Sequence, residues 1–236
     1  LYITDNGSID GSAEFLSERE AAAYRVKSAW CGDNVGYATA MNMMARESDS
    51  DIIGILNADV WLSTRDVQKI QELFDEHQDM HIMGPKQRDE RNFITHAGIL
   101  GEGRKPFLRG WKNHDPMDRL FRDRVEAVTV SGSAYFIRRS AWEDLMDCDV
   151  YERFIRDELH LSDVPGAFLP TRHYYEETWC SYHARAHGMG VFYDGSVSIG
   201  HTWHASSELG GSADQEMQIS KQLFRRACAS HGIDCD

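Results

Sequence analysis

The sequence predicts an α/β fold, with a mainly parallel central sheet flanked by helices. Three observations carry that expectation. Ile52-Ile53-Gly54-Ile55-Leu56 is an apolar run that reads as a strand buried on both faces, as in a parallel sheet covered by helices. Strand-like and helix-like stretches alternate through the first eighty-odd residues, the order that builds parallel strands with right-handed crossovers. The apolar run also leads directly into Asn57-Ala58-Asp59, which puts a carboxylate at the carboxyl end of a strand. Open α/β sheets bind ligands at that edge, although a lone Asp there also serves as a turn or helix-cap residue.

Residues 1–4 read as a strand end. Asp5-Asn6-Gly7-Ser8-Ile9-Asp10-Gly11-Ser12 follows as turn chemistry closing on a helix N-cap. A helix is expected over 13–24 and a strand over 25–30. Gly32-Asp33-Asn34-Val35-Gly36 is a second turn, before a helix over 37–47. The strand over 51–56 is followed by a helix capped by Ser63 and running to about His77, with Val67, Ile70, Leu73 and Phe74 at helical spacing. Residues 80–83 form the next strand. The second half changes character. Longer, mixed strands are expected over 93–100 and 126–137, separated by a polar loop over 101–125 that faces an acceptor or flexes. Short helices are expected over 140–147 and 151–159. A helix over 176–187 stops at Gly188, short strands cover 191–193 and 197–201, and a helix covers 212–230.

The chain has 236 residues, no linker-like tract and no internal repeat, so a single domain over 1–236 is expected. A net charge of −13 disfavours a nucleic-acid surface, which needs basic patches. An acidic protein still binds a phosphorylated small molecule when a metal bridges carboxylate and phosphate. The odd, scattered cysteines (Cys31, Cys148, Cys180, Cys228, Cys235) form no CxxC pair and read as reduced thiols of a cytoplasmic protein. Peripheral attachment to a membrane is left open by this reading. No run reaches the length of a transmembrane segment. Oligomeric state is not legible.

Several segments line up in order: Asp5-Asn6-Gly7-Ser8-Ile9-Asp10-Gly11; Asn34-Val35-Gly36 with Asn42; Asn57-Ala58-Asp59; and Glu176-Glu177 with Gly188 and His201. Met83-Gly84-Pro85-Lys86, Gly98 and the stretch from Ser131-Gly132-Ser133 to Arg139 add to them. Together they resemble the family 2 glycosyltransferases of GT-A fold, over roughly residues 1–205 and nearest the rhamnosyltransferase-like and galactofuranosyltransferase-like branches. Three departures stand out. The chain starts at the family's first turn, without the preceding strand-helix unit. The family's Glu-Asp pair is Glu176-Glu177, and Trp179 stands where a further acid is usual.

The resemblance implies a nucleotide-sugar-binding half over 1–100 and an acceptor-binding, catalytic half over 101–236. It implies an inverting transferase acting on a nucleotide-diphosphate sugar, with a glycan, lipid-linked or protein acceptor. The residues suit that chemistry. A diphosphate leaving group gains charge as its bond breaks, and a hard divalent cation held by a carboxylate neutralises it. Asp59 suits that role, supported by Asn57, with His201 as a further ligand; an imidazole favours Mn2+ over Mg2+. Glu177 is the candidate general base and Glu176 its rival, though first-turn acids also simply answer the helix dipole. Asp5 and Asn6 are placed for a nucleobase or ribose, or for a plain Asx turn. Gly36 and Asn42 are weaker donor-site candidates. Two other readings compete. One is a non-catalytic or degenerate carbohydrate- or nucleotide-binding module. The other is a zinc site built from His183, His187, His201 and His204, which lacks the HExxH string.

Overall fold

A computed structural model describes residues 1–21, 27–102, 105–147, 149–160, 166–202 and 213–235. The first strand β1 (Tyr2–Asp5) leads through a turn to α1 (Ser12–Ala21), then β2 (Lys27–Trp30) and α2 (Tyr37–Glu47). The expected helix over 13–24 and strand over 25–30 extend in part beyond the described residues. Strands β1 and β2 pair in parallel as a two-stranded sheet. Strand β3 (Ile52–Leu56) is followed by β4 (Val60–Trp61) and α3 (Thr64–Glu76). The start of α3 is fixed locally: Ser63 Oγ accepts from Asp66 N, and Asp66 Oδ2 accepts from Ser63 N, a reciprocal capping box. Ile70, Leu73 and Phe74 form its buried face, while Val67 stays exposed in the first turn.

Beyond α3 come β5 (Met80–Arg88), β6 (Ile94–His96), β7 (Ile99–Glu102), β8 (Lys105–Leu108), β9 (Arg124–Glu126) and β10 (Ala134–Arg138). Helices α4 (Arg139–Met146) and α5 (Asp149–Arg153), a π-helical turn (Phe154–Glu158), α6 (Glu176–Ala186), β11 (Gly190–His201) and α7 (Ala213–Ser230) complete the chain. The main sheet has the order β3-β10-β5-β11-β4, with β6 on β5 and β9 on β11. Strands β3, β5 and β11 share one direction, but β10 runs antiparallel between β3 and β5. The sheet is therefore mixed where a mainly parallel one was expected, because β10 enters from the opposite end instead of through a helical crossover.

Three further differences matter for the site. Strand β3 is the end member of its sheet, so Ile53 and Ile55 are buried while Ile52 and Leu56 are only half-buried. The long strand expected over 126–137 breaks into β9 and β10, which frees Ser131-Gly132-Ser133 to turn. The strands expected over 191–193 and 197–201 are one strand, β11, with a register shift between Asp194 and Ser198.

The sheet carries a core on each face. Residues on β10 alternate between them: Tyr135 and Ile137 join Ile53, Ile55, Ile82 and Trp142, while Phe136 packs with Phe74, Met83 and Ile199 under α3. A third cluster (Tyr151, Phe154, Leu169, Trp179, Phe224, Cys228) joins α7 to α6. The loop after β8 is not slack. Fully buried Lys86 holds Asp115 Oδ2 at 3.0 Å and donates to Leu120 O at 2.7 Å. Among the described residues no helix is long and apolar enough to cross a membrane. Among the described residues no disulfide joins Cys31, Cys180, Cys228 and Cys235, and Cys148 lies outside the described residues.

Candidate functional site

The chain leaves β3 through a tight turn. Asn57 N donates to Ser133 O at 2.9 Å and Val60 N to Asn57 O at 3.3 Å. The short strand β4 then pairs antiparallel with the end of β11, Val60 opposite His201. Thr202 N donates to Asp59 O at 3.0 Å, which locks the pairing. The consequence is that Asp59 Oδ1 lies 3.5 Å from His201 Nε2. Two residues far apart in sequence, both expected as metal ligands, are thus brought together by two backbone ladders. Asp59 keeps a partly exposed carboxylate, while His201 is nearly covered.

His96 stands behind this pair. It is buried, and burial drives its imidazole down to about 3, with the neighbouring His201 adding to the effect. Its Nε2 accepts from Ser131 N at 3.3 Å, so the ring is neutral and its proton sits on Nδ1.

The acidic pair opens α6. The helix has no side-chain cap; instead Tyr174 and Tyr175 both adopt left-handed backbone (φ 69° and 68°), an unfavourable conformation for tyrosine. Thr171 Oγ1 lies 2.8 Å from Tyr174 O and 3.3 Å from Glu176 Oε2. Glu176 is buried, and desolvation followed by the charge of Glu177 holds its carboxyl well above the usual range. Glu177 is half-buried and lies over Gly132, where a Cβ would come within 3.2 Å of its Cδ. Burial raises Glu177 too, opposed by the backbone amides of Glu177, Thr178 and Gly132.

Tyr37 joins the two halves of the cluster. Its hydroxyl donates to Gly132 O at 2.8 Å. Burial, then Glu176, Glu177 and Asp59, hold the phenol well above its ordinary value. One phenol therefore feels the charges of the acidic pair and of the strand-end carboxylate. Sequence reasoning missed Tyr37 and His96. The signal for Tyr37 was an aromatic hydroxyl in the first helical turn after Gly36; His96 had only its place in a short apolar strand.

Asp5, Asn6, Gly36 and Asn42 do internal work. Asp5 Oδ1 accepts from Gly7 N at 3.1 Å and Ser8 N at 2.9 Å, the plain Asx turn. Asn6 Oδ1 accepts from Val35 N at 2.9 Å and its amide donates to Asn34 Oδ1 at 3.2 Å, tying the first two turns together. Gly36 has φ +89°, and a Cβ there would lie 3.1 Å from the Arg172 backbone, which accepts from Tyr37 N. Asn42 is fully buried; its amide donates to Phe168 O at 2.9 Å and its oxygen accepts from Phe168 N at 3.2 Å. Gly36 and Asn42 thus position the stretch that feeds α6.

The zinc reading finds no support among the described residues. His183 is a core residue stacked on Trp179 at 4.7 Å, driven down to about 3 by burial and then by His187 and His231. Among the described residues no three of His, Cys, Asp and Glu group to hold a metal ion, and His204 lies outside them. Two surface depressions, one bounded by Arg225 and Cys235, the other by His81 and Met189, share no residue with the cluster around Gly132.

The family model described as Glycosyl transferase family 2 matches residues 1–145, more than half of the chain. No curated protein sequence matches it. Solved structures do. The crystal structure of GalNAc-T7 with UDP, GalNAc and Mn2+ superposes with a TM-score of 0.59 at 12% identity, over 97% of this chain and 41% of that one. The mannosyltransferase PcManGT from Pyrobaculum calidifontis, in complex with GDP-Man and Mn2+, gives 0.54 at 12% identity, over 97% of this chain and 54% of that one. At such identity the likeness carries the fold, and this chain spans roughly half of each neighbour's length.

Proposed function

The chain belongs to glycosyl transferase family 2 and has the GT-A fold, and from that premise we propose a metal-dependent, inverting sugar transferase. Its donor is a nucleotide-diphosphate sugar, its acceptor a hydroxyl of a glycan, lipid-linked glycan or protein. Residues 1–100 serve the donor and 101–236 the acceptor and the base. One observation carries the reading: the Asp59–His201 pair and the Glu176–Glu177 pair converge on Tyr37 and the Ser131-Gly132-Ser133 turn.

Asp59 and His201 supply one oxygen and one imidazole nitrogen on a partly exposed edge. That donor set fits a divalent cation whose remaining ligands come from a diphosphate, and it favours Mn2+ over Mg2+. The Mn2+ in both solved neighbours supports the same choice. Such an ion, when bound, supplies neutralisation of the charge developing on the leaving diphosphate.

The remaining work falls to the chain. Glu177 takes the proton of the acceptor hydroxyl, because its carboxylate is the more accessible of the pair and its raised pKa makes it a better base. Glu176, more deeply buried beside Thr171, keeps its proton and so spares Glu177 a second adjacent charge. Tyr37 and His96 stay neutral and fix the turn under Glu177. With one base and no carboxylate assigned as nucleophile, displacement is single and inverts the anomeric centre. The anomeric configuration of the first-formed product, read by NMR, tests this. Inversion is expected. Retention overturns single displacement, and metal-stimulated nucleotide binding without transfer or donor hydrolysis favours the non-catalytic module.

A further inference from the structure

Helix α6 carries the acidic pair, yet its N-terminus has no side-chain cap and is entered through two left-handed tyrosines. Thr171 anchors Glu176 there. Trp179, Cys180 and Ala184 hold the helix in the core. Apolar contacts are non-directional, so they constrain the rotation and axial slide of a helix only loosely. Ser181 supplies direction. It is fully buried on α6, four residues after Glu177 and so one turn further along the same side of the helix. Its Oγ accepts from Thr129 Oγ1 at 3.0 Å and lies 3.2 Å from the Tyr135 hydroxyl. Thr129 stands three residues before Gly132 and Tyr135 three after it. The segment that turns against Glu177 is therefore bound at both ends to one hydroxyl of the helix that carries Glu177.

Both partners are themselves fixed. Tyr135 lies in β10 opposite Ile55, and its ring meets that of Phe168 edge-on at 5.3 Å. Thr129 O accepts from Ile99 N at 3.2 Å, which ties it to β7. Thr129, Tyr135 and Ser181 are all buried. A buried hydroxyl without a partner costs free energy, so this network has one satisfied arrangement where an apolar core tolerates several.

We propose that Ser181 is a positioning residue: by binding Thr129 and Tyr135 it sets the rotation and height of α6, and so holds the Glu177 carboxylate against the Gly132 amide. The approach is close, since a Cβ at Gly132 would lie 3.3 Å from Glu177 Oε2. The Gly132 amide favours the charged carboxylate and opposes the upward effect of burial. A helix free to rotate or slide would carry Glu177 off that amide. The proposal deepens the transferase reading, in which Glu177 is the base. It is tested with neither donor nor acceptor present, so the two readings fail separately.

The test is a pH titration of the whole, isotope-labelled chain by NMR, following the Gly132 amide proton. In the native chain this proton should move downfield as Glu177 ionises, and Glu177→Gln should abolish the movement. Ser181→Ala releases both ends of the segment and should lose half or more of it. Thr129→Val releases one end with little change of volume and should lose a smaller part; it decides the matter if Ser181→Ala does not fold. Thr129→Ser keeps the hydroxyl and should keep the full movement. A role confined to stability lowers the melting temperature of Ser181→Ala and leaves the titration intact, and that result overturns the proposal. So does a native Gly132 proton indifferent to Glu177, or a Thr129→Ser chain that behaves like Thr129→Val. If the titrations run as expected but Glu177→Gln still transfers sugar, the base assignment falls and the positioning stands.

Discussion

Glu176 and Glu177 are adjacent, yet the fold gives them different chemistry. Glu176 points into the protein beside Thr171, and Glu177 lies half-exposed over Gly132. Glu177→Gln should therefore slow transfer by about 10²–10⁴-fold, the usual worth of a general base, while donor affinity is kept. If Glu176→Gln is the crippled variant and Glu177→Gln stays active, the two roles are reversed. The pair also sets a pH dependence. Glu176 has a raised pKa, so the folded state holds its proton where the unfolded chain has released it. Its stabilising contribution is complete below the ordinary glutamate range and is lost as pH rises through the raised value. Glu176→Gln should accordingly flatten the decline in melting temperature between about pH 4.5 and 8; an unchanged slope there would contradict a buried, protonated Glu176. Tyr37→Phe removes the bond to Gly132 O and should cost about 1 kcal/mol in a denaturant titration. It should lower turnover more than donor affinity, because Gly132 lies directly against Glu177, whereas the Asp59 turn meets this segment through Asn57 and Ser133.

Among the elements, the stretch between the π-helical turn and α6 governs the acids, and it hangs on α2. Asn42 makes two buried hydrogen bonds to the Phe168 backbone. Asn42→Ala leaves both backbone groups without partners and should cost about 2–4 kcal/mol in denaturant unfolding. Asn6→Ala, whose bonds are solvent-exposed, should cost far less. Comparable losses would mean that α2 does not brace this stretch. The elements also show where sequence was readable. The bounds of α2 and the start of α3 were legible, because turn residues and the Ser63–Asp66 box act within a few residues. The break between β9 and β10 was not. Ser131-Gly132-Ser133 turns because His96, Gln87, Tyr37 and Asn57 bind it, and all of them are distant in sequence. Asp59 and His201 were each legible as candidate ligands, but their contact depends on the two-residue strand β4, which is too short to leave a pattern.

At the scale of the molecule, two buried neutral histidines tie stability to pH. His96 and His183 are both driven down to about 3 by burial. Each contributes stability that is present above the ordinary histidine value near 6.5 and is lost as pH falls towards 3. By pH 5 the loss is about 2 kcal/mol for each. His183→Phe keeps an aromatic ring against Trp179 and should make the acid limb of a melting-temperature profile shallower; an unaltered limb would place the histidines elsewhere in the balance.

The central claim is that Asp59, set against His201 by β4 and β11, holds a cation at a nucleotide diphosphate. Calorimetric titration of UDP, GDP and dTDP into the native chain and into Asp59→Asn, with and without Mn2+, tests it most directly. The account predicts that one nucleotide binds the native chain only when Mn2+ is present, and that this binding vanishes in Asp59→Asn with the melting temperature unchanged. Equal affinity in the two proteins with Mn2+ present, or native binding indifferent to the metal, would contradict it.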